Sequence, residues 1–314
     1  MSRTRFAAGI AAALTLGMSL LAPTAAPASP GPVRIAAVGD IACKNPPANN
    51  RKVCQYDDVA AAIERGDYDR FLPLGDIQYE AGAYGDFVDN YDRYFGSLLP
   101  ITEPVPGNHE YGTADAAGYY RYFGAAAHGP GGYYSYDLGA WHIVALNSAI
   151  CPAITGCAPD DPQMEWLRND LASNDALCTL AYWHHPRFDW LKYQNADWTE
   201  DYEFLRTKPF WDVLSAAGAD VVLAGHNHNY SRWKPMGANL QADAAGIRQF
   251  IAGSGGRNLN NLGSVSTKPA TFARGWAGGF GFLELTLRSA SYDWRFVPAE
   301  GQLNFIDEGT GRCH

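Results

Sequence analysis

No two cysteines in this 314-residue chain are spaced C-x-x-C. That absence removes the thiolate clip of a zinc ribbon and leaves the six cysteines to disulfide chemistry. Basic residues are scarce, 24 Lys and Arg against 33 Asp and Glu, for a formal net charge of −9. A chain of that sign is not built to neutralise a nucleic-acid backbone or an anionic membrane. A small phosphate ester remains compatible, because bound metal ions would dominate the local field. The apolar run Phe6 to Leu21 is too short and too alanine-rich for a membrane span. No internal repeat is visible, and no Ser- or Pro-rich linker divides residues 33 to 314. One domain is therefore expected.

The composition is that of an ordinary globular protein, 47% apolar and 18% charged. Residues 1–28 read as a secretory leader: Arg3 and Arg5, then the apolar run, then Ala26-Pro27-Ala28 as a cleavage site. No cysteine precedes Cys43 to take a lipid. Cleavage would remove two arginines and no acid, taking the net charge to about −11. The expected product is an exported chain of residues 29–314, secreted, with no membrane attachment. Six cysteines in such a chain suggest three disulfides among fifteen possible pairings. Spacing favours two local loops, Cys43 with Cys54 and Cys151 with Cys157, leaving Cys178 to tie Cys313.

Apolar runs ending at glycine organise the chain. Val33 to Val38 is a buried strand, Asp57 to Arg65 has helical spacing, and Phe71 to Leu74 is a second strand, together a strand–helix–strand unit. Tyr84 to Leu98 reads as an amphipathic helix and Ile101 to Val105 as a short strand. Residues 112–135 read as a loop at a cleft mouth, and 187–203 as a specificity loop. Tyr133 to Leu138 and Trp141 to Asn147 suit a hairpin. Gln163 to Ala172 and Phe210 to Ala217 suit helices; Thr179 to Trp183 and Val221 to Leu223 suit strands. Gln249 to Ala252, Gly281 to Leu287 and Ser291 to Val297 read as antiparallel strands closing a second sheet. The fold class is α/β, a two-sheet sandwich with helices outside.

At five strand ends stand side chains able to bind metal: Asp40, Asp76 with Tyr79, Asn108 with His109 and Glu110, His184, and the pair His226 and His228. Carboxyl ends of strands in such folds face the ligand crevice. Mixed oxygen and nitrogen donors suit Zn, Mn or Fe rather than a thiolate-selected metal. A β-lactamase-like metallohydrolase would need H-x-H-x-D-H, and Gly225 to Tyr230 lacks the Asp and the third His.

The order GD, GDxxY, GNHE, H-x-P and GHxH resembles the calcineurin-like metallophosphoesterase superfamily, and within it the purple acid phosphatases, over about residues 33 to 300. The resemblance implies a four-layer α/β/β/α fold and two metal ions, iron with zinc, manganese or a second iron. One metal would take Asp40, Asp76, Tyr79 and His228; the other would take Asp76, Asn108, His184 and His226, with Asp76 shared. Most of the superfamily has a histidine ligand where this chain has Ala42, and Tyr79 stands where the purple branch supplies a tyrosinate. That branch usually reads GDxG where this chain has Gly39-Asp40-Ile41-Ala42, which bears on the fine geometry of the loop. His185 and Glu110 are expected behind the ligands, Glu110 orienting His109 or a bound water.

The activity implied is hydrolysis of a small phosphate monoester by attack of metal-bound hydroxide, the two ions about 3.5–4 Å apart. His109 would give the leaving alkoxide its proton. A phosphodiesterase or nucleotidase on the same ions is the enzymatic alternative, with Tyr119, Tyr120, Tyr122, Trp190 and Trp198 available to stack on a base. A binding protein that has lost its chemistry is the non-enzymatic one.

Overall fold

Val33–Val38 (β1) divides its side chains between two cores, Ile35 and Ala37 in one, Ala36 and Val38 in the other. That is the two-residue period of a strand buried on both faces. The second core also holds Val59 and Ile63 of Tyr56–Glu64 (α1), four apart on one helix face. The chain then runs as Arg70–Pro73 (β2), parallel to β1 with Ile35 opposite Arg70 and Val38 opposite Pro73. The expected strand–helix–strand unit is present. The computed structural model describes residue 1 and residues 31–44, 53–153, 155–189, 205–239, 241–262, 269–302 and 305–314. The expected leader beyond Met1, and most of the expected specificity loop 187–203 with Trp190 and Trp198, lie outside the described residues.

Three expected elements differ. The segment expected as one helix from Tyr84 is a broken spiral: an α-turn Tyr84–Asp86, a π-helical turn Phe87–Tyr91, an α-turn Asp92–Phe95 and a 3₁₀ stretch Gly96–Ile101. The Asn90 side chain donates to the Asp86 carbonyl at 2.9 Å, competing for the acceptor that an α-helix would give to its own N–H. Ile101 to Val105 makes only two isolated bridges, Phe71 to Thr102 and Leu74 to Val105. Pro73 and Pro104 each lack an N–H, so a full ladder along this edge has no donors at those places. Residues 112–135 contain a helix, Ala117–Phe123 (α2). Tyr119 there is buried, with its hydroxyl on the Pro104 carbonyl, and Tyr122 stacks on Phe87 with centroids 5.0 Å apart. Those rings pack the fold.

Tyr134–Leu138 (β3) and Trp141–Ala145 (β4) form the expected hairpin. Pro162–Ser173 (α3) starts with Asp161 accepting from the Gln163 N–H and proline in the first turn, a favoured helix start. Cys178–Tyr182 (β5), then Lys208–Ala216 (α4) and Val221–Ala224 (β6), continue the second sheet, β4, β5 and β6 running parallel. Tyr230–Trp233 (β7), Arg248–Ala252 (β8) and Phe272–Trp276 (β9) complete it in the order β3-β4-β5-β6-β8-β7-β9. Gly281–Arg288 (β10), Ser291–Pro298 (β11) and Glu308–Arg312 (β12) join the other sheet, ordered β12-β11-β10-β1-β2. The three late strands thus do not close one antiparallel sheet. Residues 248–252 pair parallel with β6, and β10 pairs antiparallel with β1.

The sheets face each other over a core containing Ile35, Leu72, Leu180, Leu223, Phe250 and Leu285. Outside the second sheet, Met164 and Leu167 of α3 and Phe210, Trp211 and Leu214 of α4 cover Val144, Ala181 and Val222. Helix, sheet, sheet, helix is the layering expected. Among the described residues no helix is long and apolar enough to cross a membrane.

The disulfides are Cys43–Cys54, Cys151–Cys157 and Cys178–Cys313. The last spans 135 residues and ties the end of the chain to the first residue of β5. Closing so long a loop restricts the unfolded chain most, so the double substitution Cys178→Ser with Cys313→Ser is expected to cost about 2–5 kcal/mol. Thermal unfolding measures it. Because His184 lies beyond the opposite end of β5, metal content and turnover of the folded variant should stay at wild-type values.

Candidate metal centre

The parallel strands β1, β2, β5 and β6 end at one edge of the sandwich, and four of the marked side chains emerge there. Asp40 lies two residues past β1, Asp76 three past β2, His184 two past β5 and His226 two past β6. Asp40, Asp76 and His226 have φ of 61°, 47° and 68°, the left-handed region that non-glycine residues rarely occupy. Each costs about 1–3 kcal/mol, strain that clusters at functional sites. Gly75, at φ 82°, lets the turn press against His184: a Cβ there would stand 2.6 Å from the ring nitrogen Nδ1.

Two sets of donor atoms result. In the first, Tyr79 Oη lies 3.0 Å from Asp40 Oδ1, 3.0 Å from His228 Nε2 and 3.3 Å from Asp76 Oδ2. His228 Nε2 stands 3.3 Å from Asp40 Oδ1. In the second, His184 Nε2 lies 3.2 Å from each of Asp76 Oδ2, Asn108 Oδ1 and His226 Nδ1. Asp76 Oδ2 belongs to both. Donors bound to one ion at about 2.0–2.2 Å sit about 3 Å or slightly more from one another, the spacing seen in each set. All seven residues marked in the sequence are brought together, and the oxygen and imidazole donors fit zinc, manganese or iron.

The imidazoles are oriented by backbone carbonyls. His184 Nδ1 meets the Leu74 carbonyl at 2.9 Å, and His228 Nδ1 meets that of Asn258 at 2.6 Å. A carbonyl only accepts, so each Nδ1 carries a proton and each Nε2 is the ring atom left to face the donor set. Asp40 and Asp76 are buried, and among the described residues no lysine or arginine pairs with either. Burial would lift the Asp76 carboxyl, but the neighbouring imidazoles of His184, His109 and His226 outweigh it and hold it well below the usual range. Burial likewise opposes a charge on His184, and Asp76 overrides it, pushing the imidazole up to about 9. The cluster thus draws positive charge to itself, as a cation site should. Burial, then Asp40 and Asp76, push the Tyr79 phenol upward, so without a cation it keeps its proton and donates it to Asp40.

Ala42 is fully buried and continues the β1–β2 pairing through a bridge to Gln78. The Ala42 methyl offers no donor atom, and the Tyr79 hydroxyl stands among Asp40, His228 and Asp76. His109 Nδ1 donates to the Glu80 carbonyl at 2.5 Å, which turns Nε2 toward Asp76 Oδ2, 3.8 Å away. His185 packs against His226, its ring 4.5 Å from that ring and its Nδ1 2.9 Å from Ser148 Oγ. Glu110 turns to the main chain: its two oxygens accept from four backbone N–H groups, those of Asp76, Ile77, Gln78 and Gly107. Arg257 was not legible as a site residue. Its guanidinium lies 4.8 Å over the Tyr79 ring and pairs with Glu80 at 2.8 Å. It lies far down the chain from every motif, and only the fold brings it here.

A two-sheet α/β sandwich with carboxylate and imidazole donors at its carboxyl edge is built to hold metal at that edge. The chain belongs to the calcineurin-like phosphoesterase family, whose model matches residues 33–230. It is similar to purple acid phosphatase 21 of Arabidopsis thaliana, 30% identical over 223 residues, 66% of this chain and 48% of that one. It is also similar to acid phosphatase type 7 of Mus musculus, 26% identical over 65% of this chain and 48% of that one. The chain spans about half the length of these curated relatives. Among solved structures, the purple acid phosphatase PPD1 from yellow lupin seeds aligns with a TM-score of 0.72 at 17% identity, over 90% of this chain and 54% of that one. PhoD aligns at 0.63 and 12% identity, over 91% of this chain and 70% of that one. These two likenesses show the fold.

Proposed function

We propose that this chain is a secreted phosphomonoesterase working with two metal ions. Asp40, Asp76, Tyr79 and His228 hold one ion, and Asp76, Asn108, His184 and His226 the other. Residues 29–314 form its single catalytic domain. The observation that carries the reading is the shared oxygen: Asp76 Oδ2 stands 3.2–3.3 Å from donors of both sets. Three disulfides support an oxidising compartment, and family membership supports phosphoester chemistry.

When bound, the ions supply Lewis-acid polarisation and a water of lowered pKa. The chain's own groups do the rest. The carbonyls of Leu74 and Asn258 hold two imidazoles in the metal-binding tautomer. The His109 N–H takes Asp76 Oδ1 at 2.8 Å, leaving Oδ2 for the shared position. His109 Nε2, turned to the site by the Glu80 carbonyl, holds a proton for the leaving oxygen. No side chain is called on to form a covalent phosphoenzyme, so inversion at phosphorus is expected.

The test compares p-nitrophenyl phosphate with its bis ester on metal-reconstituted protein across pH, with a chelator control. The monoester should turn over at least about tenfold faster per kcat/KM, and chelation should abolish turnover. Faster diester turnover moves the assignment to a phosphodiesterase; turnover of neither ester with both metals bound ends the enzymatic reading.

A further inference from the structure

Glu110 is fully buried, and both of its oxygens are saturated. Oε1 accepts from the N–H groups of Ile77 at 2.9 Å and Gln78 at 3.1 Å; Oε2 accepts from Asp76 at 2.9 Å and Gly107 at 2.7 Å. A carboxylate has about four lone-pair sites, and here four backbone donors fill them. Three of those donors belong to the loop that carries Asp76 and Tyr79, and the fourth belongs to the loop that carries Asn108 and His109. The second loop answers in kind, because the His109 N–H donates to Asp76 Oδ1 at 2.8 Å. The fit leaves no slack: a Cβ on Gly107 would stand 2.2 Å from Asp76 Oδ1 and 2.4 Å from its backbone nitrogen.

We propose that Glu110 is a positioning residue that locks the Asp76–Tyr79 loop to the Gly107–His109 loop, fixing the shared metal ligand and the proton donor in one frame before any ion or substrate arrives. Backbone N–H groups of an ordinary turn would donate to water or to carbonyl oxygens. Gathered on one buried carboxylate, they hold Asp76 in its left-handed conformation with both oxygens already aimed. Loops tied this way do not have to be ordered by the ion, so metal affinity contains no ordering cost.

This inference rests on the proposed metal reading, and its test separates the two. Glu110→Gln keeps the shape and turns one acceptor oxygen into an NH₂ group facing two N–H donors. The expected result is metal binding weakened about 10–100-fold, the range for residues that orient ligands. It is read by chelator competition and by a smaller rise in melting temperature on adding zinc or manganese. The Cys178→Ser, Cys313→Ser chain is the control for a purely structural loss: it should melt lower yet keep the full metal-induced rise. Equal metal affinity in wild type and Glu110→Gln overturns the lock, whereas no metal binding by wild type overturns the metal reading instead. Should the variant fail to fold, amide hydrogen exchange on the metal-free wild type decides the matter. The amides of Asp76, Ile77, Gln78 and Gly107 should already be protected; exchange that slows only when metal is added overturns the proposal.

Discussion

Asp76→Asn is expected to lower kcat/KM by at least about 10³-fold and to leave the folded protein with less than one metal per chain. Removing a ligand from one site ordinarily weakens one ion; here the same oxygen faces both donor sets at 3.2–3.3 Å. Turning the amide does not rescue the site. With NH₂ in place of Oδ2, a donor faces the metal positions; with NH₂ in place of Oδ1, it faces the His109 N–H, which Oδ1 now accepts at 2.8 Å. Metal-free stability should fall as well: asparagine tolerates the φ of 47°, but the Asp76 carboxylate and the His184 imidazole favour each other's charged form, and removing one leaves the other buried without its partner. Metal analysis, melting temperature and p-nitrophenyl phosphate kinetics on one preparation test this. Two bound metals with more than about a tenth of wild-type turnover would sink the bridging role of Asp76.

The donor residues that meet at the carboxyl edge were legible because their signal is local. An apolar run, a break and a polar donor locate a strand end whatever that strand pairs with, and Asp40, Asp76, His184 and His226 all satisfy the pattern. Tyr79 was legible through a compensation, the missing histidine at Ala42, and the structure puts its hydroxyl 3.0 Å from both Asp40 and His228. Sheet membership was not legible in the same way. Residues 249–252 read as a strand, but the partner β6 is selected by packing, and nothing in the four residues says parallel or antiparallel. Glu308–Arg312 contains two glycines and no apolar residue, so β12 had no periodicity to read. The 3.6-residue pattern from Tyr84 was real, but a single side-chain bond, Asn90 to Asp86, diverts the backbone from it.

The supporting groups were least legible of all. The carbonyls of Leu74, Glu80 and Asn258 set the tautomers of three histidines, and a carbonyl is the same at every residue. Glu110 lay beside a ligand, so an interaction with His109 was the natural guess, yet its oxygens turn back to the backbone. Such groups show a division of labour: side chains at strand ends supply chemistry, while main-chain atoms of adjoining loops aim it.

His109→Ala should divide substrates by their need for a proton. Against an alkyl ester such as glycerol phosphate, kcat should fall about 10²–10³-fold, within the usual range for a lost general acid. Against p-nitrophenyl phosphate, whose anion leaves unaided, the fall should stay under about tenfold. The geometry supplies the asymmetry. The Glu80 carbonyl occupies Nδ1, so only Nε2 can serve the leaving oxygen, and that ring is about a third exposed at the mouth rather than sealed among the ligands. Its backbone N–H bond to Asp76 survives in alanine, so metal content should match wild type. An equal loss on both esters with metals intact would mean that His109 binds the phosphoryl group instead, and the proton would then have to reach the leaving oxygen from solvent.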